Sequence, residues 1–91
     1  MDWRIEYTPR AKKDLDALDR DVARRIAAYL RQRVAAGDPR EQGFALTGEL
    51  RELWRYRVGA YRVLCHIEDR TVTVLVVRIG HRGKIYRDWR R

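Results

Sequence analysis

The sequence predicts an α+β domain, β-α-α-β-β-β, in which a helical hairpin packs on an antiparallel sheet. Three observations carry this expectation. A short alternating segment opens the chain, two stripes of helical apolar periodicity lie between Ala11 and Val34, and three alternating segments follow residue 50, split by turn residues. No repeat, low-complexity tract or linker interrupts the 91 residues, which are read as one domain, 1–91. A domain of this size buries only about 60–65% of its unfolded surface, so its core is thin.

Trp3-Arg4-Ile5-Glu6-Tyr7 alternates apolar with polar residues and reads as the first strand. Thr8-Pro9 then supplies an N-cap and a proline at the first helical position. Ala11, Leu15 and Leu18 share one helical face. Asp19 or Asp21 caps a second helix with the stripe Val22, Ile26, Ala27, Leu30 and Val34, and Gly37 is expected to close it at C′. The charged residues between the stripes (Arg24, Arg25, Arg31 and Arg33 against Asp14 and Asp16) read as a solvated face. Asp38 to Thr47 reads as a loop with Phe44 and Leu46 turned inward. Three strands follow, roughly 50–58, 60–68 and 71–79.

Turn chemistry sets the expected register. Gly59-Ala60 fits a two-residue type II′ turn, which pairs Val58 with Tyr61, Arg57 with Arg62, and Arg55 with Leu64. Asp69-Arg70, read as a second two-residue loop, would place Arg62 opposite Val77. One sheet face then carries Trp54, Tyr56, Val58, Tyr61, Val63, Cys65, Ile67, Val72, Val74 and Val76 and packs under the helices. The other carries Arg55, Arg57, Arg62, Leu64, His66, Leu75, Val77 and Ile79, and by parity His81. Arg57 beside Arg62 is a like-charge cross-strand pair, which by itself destabilises a sheet. An external anion is the simplest compensation.

The charge distribution agrees. Residues 1–50 carry 10 Lys/Arg and 9 Asp/Glu, whereas residues 51–91 carry 11 and 4, so nearly all of the net charge of +8 lies in the second half. Only Lys12, Lys13 and Lys84 are lysines, and the planar arginine fork suits bidentate phosphate contact and base stacking. This asymmetry predicts a polyanion-binding half. The chain has no apolar run of membrane length and no signal-peptide pattern after Met1, so no membrane partner is expected. The single cysteine, Cys65, excludes an internal disulfide and fits a cytoplasmic location. No cofactor is implied, and no His/Cys/carboxylate spacing suggests a metal site.

Arg62, His81, Arg82 and Tyr86 are the candidate catalytic residues, with Arg55, Arg57 and Lys84 as candidate RNA-binding residues. Arginines stabilise the added charge of a pentacoordinate phosphate, and histidine moves protons near neutral pH. Tyrosine can serve as acid, as base beside arginines, or as a stacking platform. If the phosphodiester is RNA, its own 2′-hydroxyl is the nucleophile.

Trp3–Tyr7, Leu46-Thr47-Gly48, the segment Trp54 to Arg62, and Gly80-His81-Arg82-Gly83-Lys84-Ile85-Tyr86 resemble the RelE/ParE superfamily of toxins of type II toxin–antitoxin systems, closest to its RelE branch. The resemblance covers essentially the whole chain; the Tyr-Arg after the first hairpin and the Gly-His-Arg…Tyr ending are its more specific parts. It implies a RelE-like fold and a ribosome-dependent, metal-independent endoribonuclease that cleaves mRNA in the ribosomal A site. It also implies neutralisation by a cognate antitoxin in a hetero-oligomeric complex. By the same resemblance Arg62 matches the family's sheet arginine, Arg82 the second catalytic arginine and Tyr86 the catalytic tyrosine. His81 stands where some members have lysine, and Leu53 at a position that is lysine in others, which shifts proton transfer toward His81. The alternative reading is a non-enzymatic gyrase poison of the ParE type, or a nucleic-acid-binding module.

Overall fold

The computed structural model of the protein describes residues 2–86, apart from the side chain of Glu49. Strand β1 (Arg4–Tyr7) leads into helix α1 (Pro9–Asp16) and helix α2 (Arg20–Tyr29), followed by β2 (Phe44–Ala45), β3 (Trp54–Val58), β4 (Tyr61–Glu68) and β5 (Thr73–His81). The architecture is α+β: two helices pack on one face of a five-stranded mixed sheet of order β1-β5-β4-β3-β2. Pairs β3–β4 and β4–β5 are antiparallel, as expected, and β2 adds a further antiparallel pair with β3 inside the stretch 38–47 that the sequence reads as a loop. The exception is β1, which runs parallel to β5, Arg4 beside Thr73 through Tyr7 beside Val76. No helix among the described residues is long and apolar enough to cross a membrane.

Both helix starts follow from their caps. Thr8 is extended and its hydroxyl accepts the Ala11 N–H at 3.1 Å, with Pro9 in the first turn. Asp19 caps α2 by accepting from the Asp21 N–H at 3.2 Å. The end of α2 differs from expectation. It widens into a π-helical run, Leu30–Ala35, and Gly37 does not take the left-handed C′ conformation. At this end the Ala35 carbonyl, free as in any last helical turn, accepts the Trp3 N–H at 2.8 Å, which ties the helix end to the start of the chain.

The helix-side core holds Ala11, Ile26, Leu30 and Val34 against Tyr56, Val58, Val63, Cys65, Val74 and Val76. The Tyr56 hydroxyl donates to the Pro39 carbonyl at 2.8 Å, so no unpaired polar atom enters that core. Beyond Val76 the outer edge of β5 is no longer covered by β1, and α1 occupies it. Thr8 donates through its N–H to Val76 O and through its hydroxyl to Val77 O. Asp14 accepts from the Ile79 N–H at 3.0 Å and from Arg78 Nε at 2.9 Å.

The Gly59-Ala60 hairpin has the expected register, with Gly59 at φ +59°. The second connection does not. It is a four-residue turn, Asp69 to Val72, with Val72 in the left-handed region, unusual for a β-branched residue. Arg40 clamps Asp69 in a bidentate pair, both contacts 2.9 Å. A bulge then slips the β4–β5 register between Leu64 and Cys65, so Val77 is the extra residue. Together these place Arg62 opposite Gly80 rather than Val77, Ile79 in the helix-side core, and His81 opposite Tyr61.

Candidate active site

On the face away from the helices, β3 and β4 bring Arg57 directly opposite Arg62, and Arg55 opposite Leu64. Opposite Arg62 on the other side is Gly80, where an added Cβ would stand 3.3 Å from the Ile85 side chain. The missing side chain lets the segment after β5 fold back over the sheet. Ile85 seats itself there, 1% exposed, with Leu53 and Leu64. This second small core is flanked by Leu46, Leu50, Val77 and Tyr86. Backbone bonds hold the approach: Arg82 N–H donates to Ala60 O at 2.8 Å, and Lys84 N–H to His81 O at 2.9 Å.

Docking Ile85 delivers Tyr86 to the arginines. Arg55 Nη1 donates to the Tyr86 hydroxyl at 3.0 Å. Arg62 Nη1 is folded onto its own hairpin and donates to Gly59 O at 3.0 Å and Tyr61 O at 2.9 Å. Partial burial lowers the Arg62 pKa from its ordinary value, and Arg57, Arg55 and Arg82 push the same way, against an opposing effect of Tyr86. Those influences mark one electrostatic cluster of Arg55, Arg57, Arg62, Arg82 and Tyr86. Among the described residues no ion pair includes any of its four arginines, whereas Arg4, Arg10, Arg40 and Arg78 each pair with a carboxylate.

His81 does not join this cluster. The bulge reverses the parity of the end of β5, so His81 shares the side of Tyr61, whose ring it meets edge-on at 5.7 Å. Its Nδ1 accepts the Gly83 N–H at 3.2 Å, which commits that lone pair to the turn. Lys84 is exposed in the same turn. Leu53, at a position that is lysine in some relatives by sequence resemblance, is buried in the second core. Cys65 is fully buried, and desolvation pushes its thiol pKa up, away from nucleophilic use. Among the described residues no three His, Cys, Asp or Glu side chains gather as metal ligands.

Phe44 is the residue that sequence reasoning misplaced on this face. Only Leu46 of the Phe44/Leu46 pair packs inward; Phe44 is 60% exposed and stands opposite Arg55, whose guanidinium carbon is 5.8 Å from its ring centre. A two-residue strand carries too short an alternation to reveal itself in sequence.

Comparison with known proteins places these features in context. The family profile of the ParE toxin of type II toxin–antitoxin systems (parDE) matches residues 5–86. Toxin RelG of Mycobacterium tuberculosis is 32% identical over 91 residues, covering 96% of this chain and 99% of RelG. Among solved structures, the toxin–antitoxin complex RelBE2 of M. tuberculosis contains a chain with 26% identity and a TM-score of 0.84, covering 92% of this chain and 95% of that one. The archaeal RelE–RelB complex of Pyrococcus horikoshii contains one with 26% identity and a TM-score of 0.65, covering 92% and 99%.

Proposed function

Because this chain belongs to the RelE/ParE superfamily of type II toxin–antitoxin toxins, we propose that it is a ribosome-dependent endoribonuclease of the RelE type. It cleaves mRNA in the ribosomal A site, stops translation in the cytoplasm, and is held inactive by a cognate antitoxin. The observation that carries this reading is the cluster of four arginines without carboxylate partners among the described residues, with a tyrosine hydroxyl 3.0 Å from Arg55 at its edge. Such a group fits a phosphodiester in the course of cleavage.

The chemistry follows from the parts. The 2′-hydroxyl oxygen of the RNA attacks the adjacent phosphorus as the bond to the 5′-oxygen breaks, leaving a 2′,3′-cyclic phosphate and a 5′-hydroxyl. Arg62 and Arg82 stabilise the extra negative charge on the phosphoryl oxygens. Tyr86, oriented by Arg55, is the proton-transfer group, while Arg55 and Arg57 hold the backbone. With His81 turned toward Tyr61, the geometry favours Tyr86 over His81 for that role. The antitoxin is expected to meet the same arginines with carboxylates, because one charge arrangement suits both partners.

Primer extension on mRNA after induction tests the reading. Cuts confined to translated messages, and lost in Arg82→Ala, are the expected result. The match to the ParE profile gives the gyrase-poison reading its own support. Loss of DNA synthesis before protein synthesis in pulse labelling, with intact mRNA, would select it instead.

A further inference from the structure

Phe44 is the one large apolar side chain exposed among the described residues, and its surroundings hold it in that position. Gly43 precedes it at φ +73°, and an added Cβ there would collide with the Arg55 carbonyl oxygen and come within 2.9 Å of the Trp54 and Tyr56 side chains. β2 is therefore pressed against β3 more closely than any other residue would permit. The Trp54 indole N–H donates to the Gln42 carbonyl at 2.6 Å, and the Leu46 N–H to the Leu53 carbonyl at 3.0 Å. The backbone is thus pinned on both sides of the ring. The ring is held in place while most of it stays open to solvent, which leaves a fixed apolar surface on the edge of the sheet.

The ring is also coupled to the arginine cluster. Phe44 lies against Arg55, which in turn donates to Tyr86. Ring, guanidinium and phenol form a continuous line beside the Arg57–Arg62 pair. A flat, π-faced group attached to a phosphate would match both parts at once: its ring on Phe44, its phosphate on the arginines. We infer that Phe44 is a stacking platform for one nucleobase of the RNA substrate, next to the phosphate that Arg55, Arg57 and Arg62 grip. The inference rests on the ribonuclease reading and adds to it a positioning residue on the edge of the sheet. An antitoxin segment would need two separate groups here, an apolar side chain for the ring and a carboxylate for the arginines, whereas a nucleotide carries its flat ring and its anion in one unit.

The test uses the full chain and a short single-stranded RNA carrying 2-aminopurine at each position in turn, with 2′-O-methyl groups to prevent cleavage. Stacking on Phe44 quenches the fluorescence at one position. Phe44→Leu keeps an apolar side chain but removes the π-face. It should weaken binding by ~10-fold or more, the effect typical of losing one base–aromatic stack, and abolish that quench. The slope of affinity against salt should stay unchanged, because the phosphate contacts remain. Phe44→Trp should restore both. Equal affinity and quench in wild type and Phe44→Leu would overturn the inference. So would a Phe44→Leu defect seen only in antitoxin binding. Primer extension on the same proteins separates the two readings: wild-type and Phe44→Leu cutting equally refutes the platform but leaves the ribonuclease, whereas no cutting by wild type refutes the ribonuclease itself. If wild type also fails to bind the RNA, the platform falls with it.

Discussion

Replacing Ile85 with alanine tests whether the arginine face works only with the segment after β5 docked on it. Ile85 is 1% exposed and sits over Gly80 beside Leu53 and Leu64. The substitution removes three carbons, worth roughly 2.4 kcal/mol at about 0.8 kcal/mol each. The cavity term can bring the loss into the ~2–4 kcal/mol range of buried large-to-small changes. A loss of about 2.4 kcal/mol shifts the docked-to-undocked ratio by roughly 50-fold. Tyr86 is displaced when the segment lifts, while Arg55, Arg57 and Arg62 stay in place on their strands. With docked and undocked forms comparably populated in the wild type, single-turnover cleavage on programmed ribosomes should therefore fall by roughly 10- to 50-fold, with ribosome binding changed by less than about threefold. Ile85→Val, a milder truncation costing about 0.5–1.5 kcal/mol, should fall between. Urea unfolding of each variant separates local undocking from global loss. Cleavage within threefold of wild type for Ile85→Ala, in a protein that stays folded, would refute the argument that docking delivers Tyr86.

Arg62→Ala and Arg82→Ala should each slow single-turnover cleavage by at least ~10²-fold, about 2.7 kcal/mol of transition-state stabilisation; rates within a few-fold of wild type would remove them from the site. Tyr86→Phe should lower cleavage comparably while His81→Gln stays within a few-fold, and the reverse ordering would return proton transfer to His81. Arg57→Gln relieves the like-charge pair with Arg62 and should stabilise the fold by a few tenths of a kcal/mol in low salt while weakening RNA binding, as urea titration and filter binding would register. Desolvation by burial raises the Tyr56 pKa above its ordinary 10.0, so the stability it supports is complete below about pH 10 and declines as pH rises from there toward the raised folded value. Tyr56→Phe should flatten that alkaline decline while costing roughly 0.5–1.5 kcal/mol at neutral pH through the lost bond to Pro39, both read by denaturant unfolding across pH.

What could be read in advance, and what could not, divides along physical lines. The Thr8-Pro9 and Asp19 caps and the Gly59-Ala60 turn each act within a few residues, so the sequence alone places the helix starts and sets Arg57 against Arg62. The β4–β5 register lacked such a marker. Val72 to Val77 is apolar or β-branched at every position, so alternation gives no parity, and the bulge at Val77 leaves no compositional trace. That one slip carries His81 off the expected face. The parallel pairing of β1 with β5 spans almost 70 residues of sequence and has no local signal at all. Ile85 was likewise invisible as an anchor, because its partner is the absence of a side chain at Gly80.

The way α1 finishes the edge of β5 bears on how this chain behaves in company. A sheet edge with free N–H and C=O groups is a template for a strand from another molecule. Here β1 ends at Tyr7, opposite Val76 of β5, yet the next groups of the β5 edge are already spoken for by Thr8 and Asp14. The carboxylate that closes the edge also neutralises Arg78, 9% exposed, so the seal cannot loosen without stranding a nearly buried cation. Strand addition by a neighbouring copy is thereby directed away from this stretch, toward the outer sides of β1 and the two-residue β2.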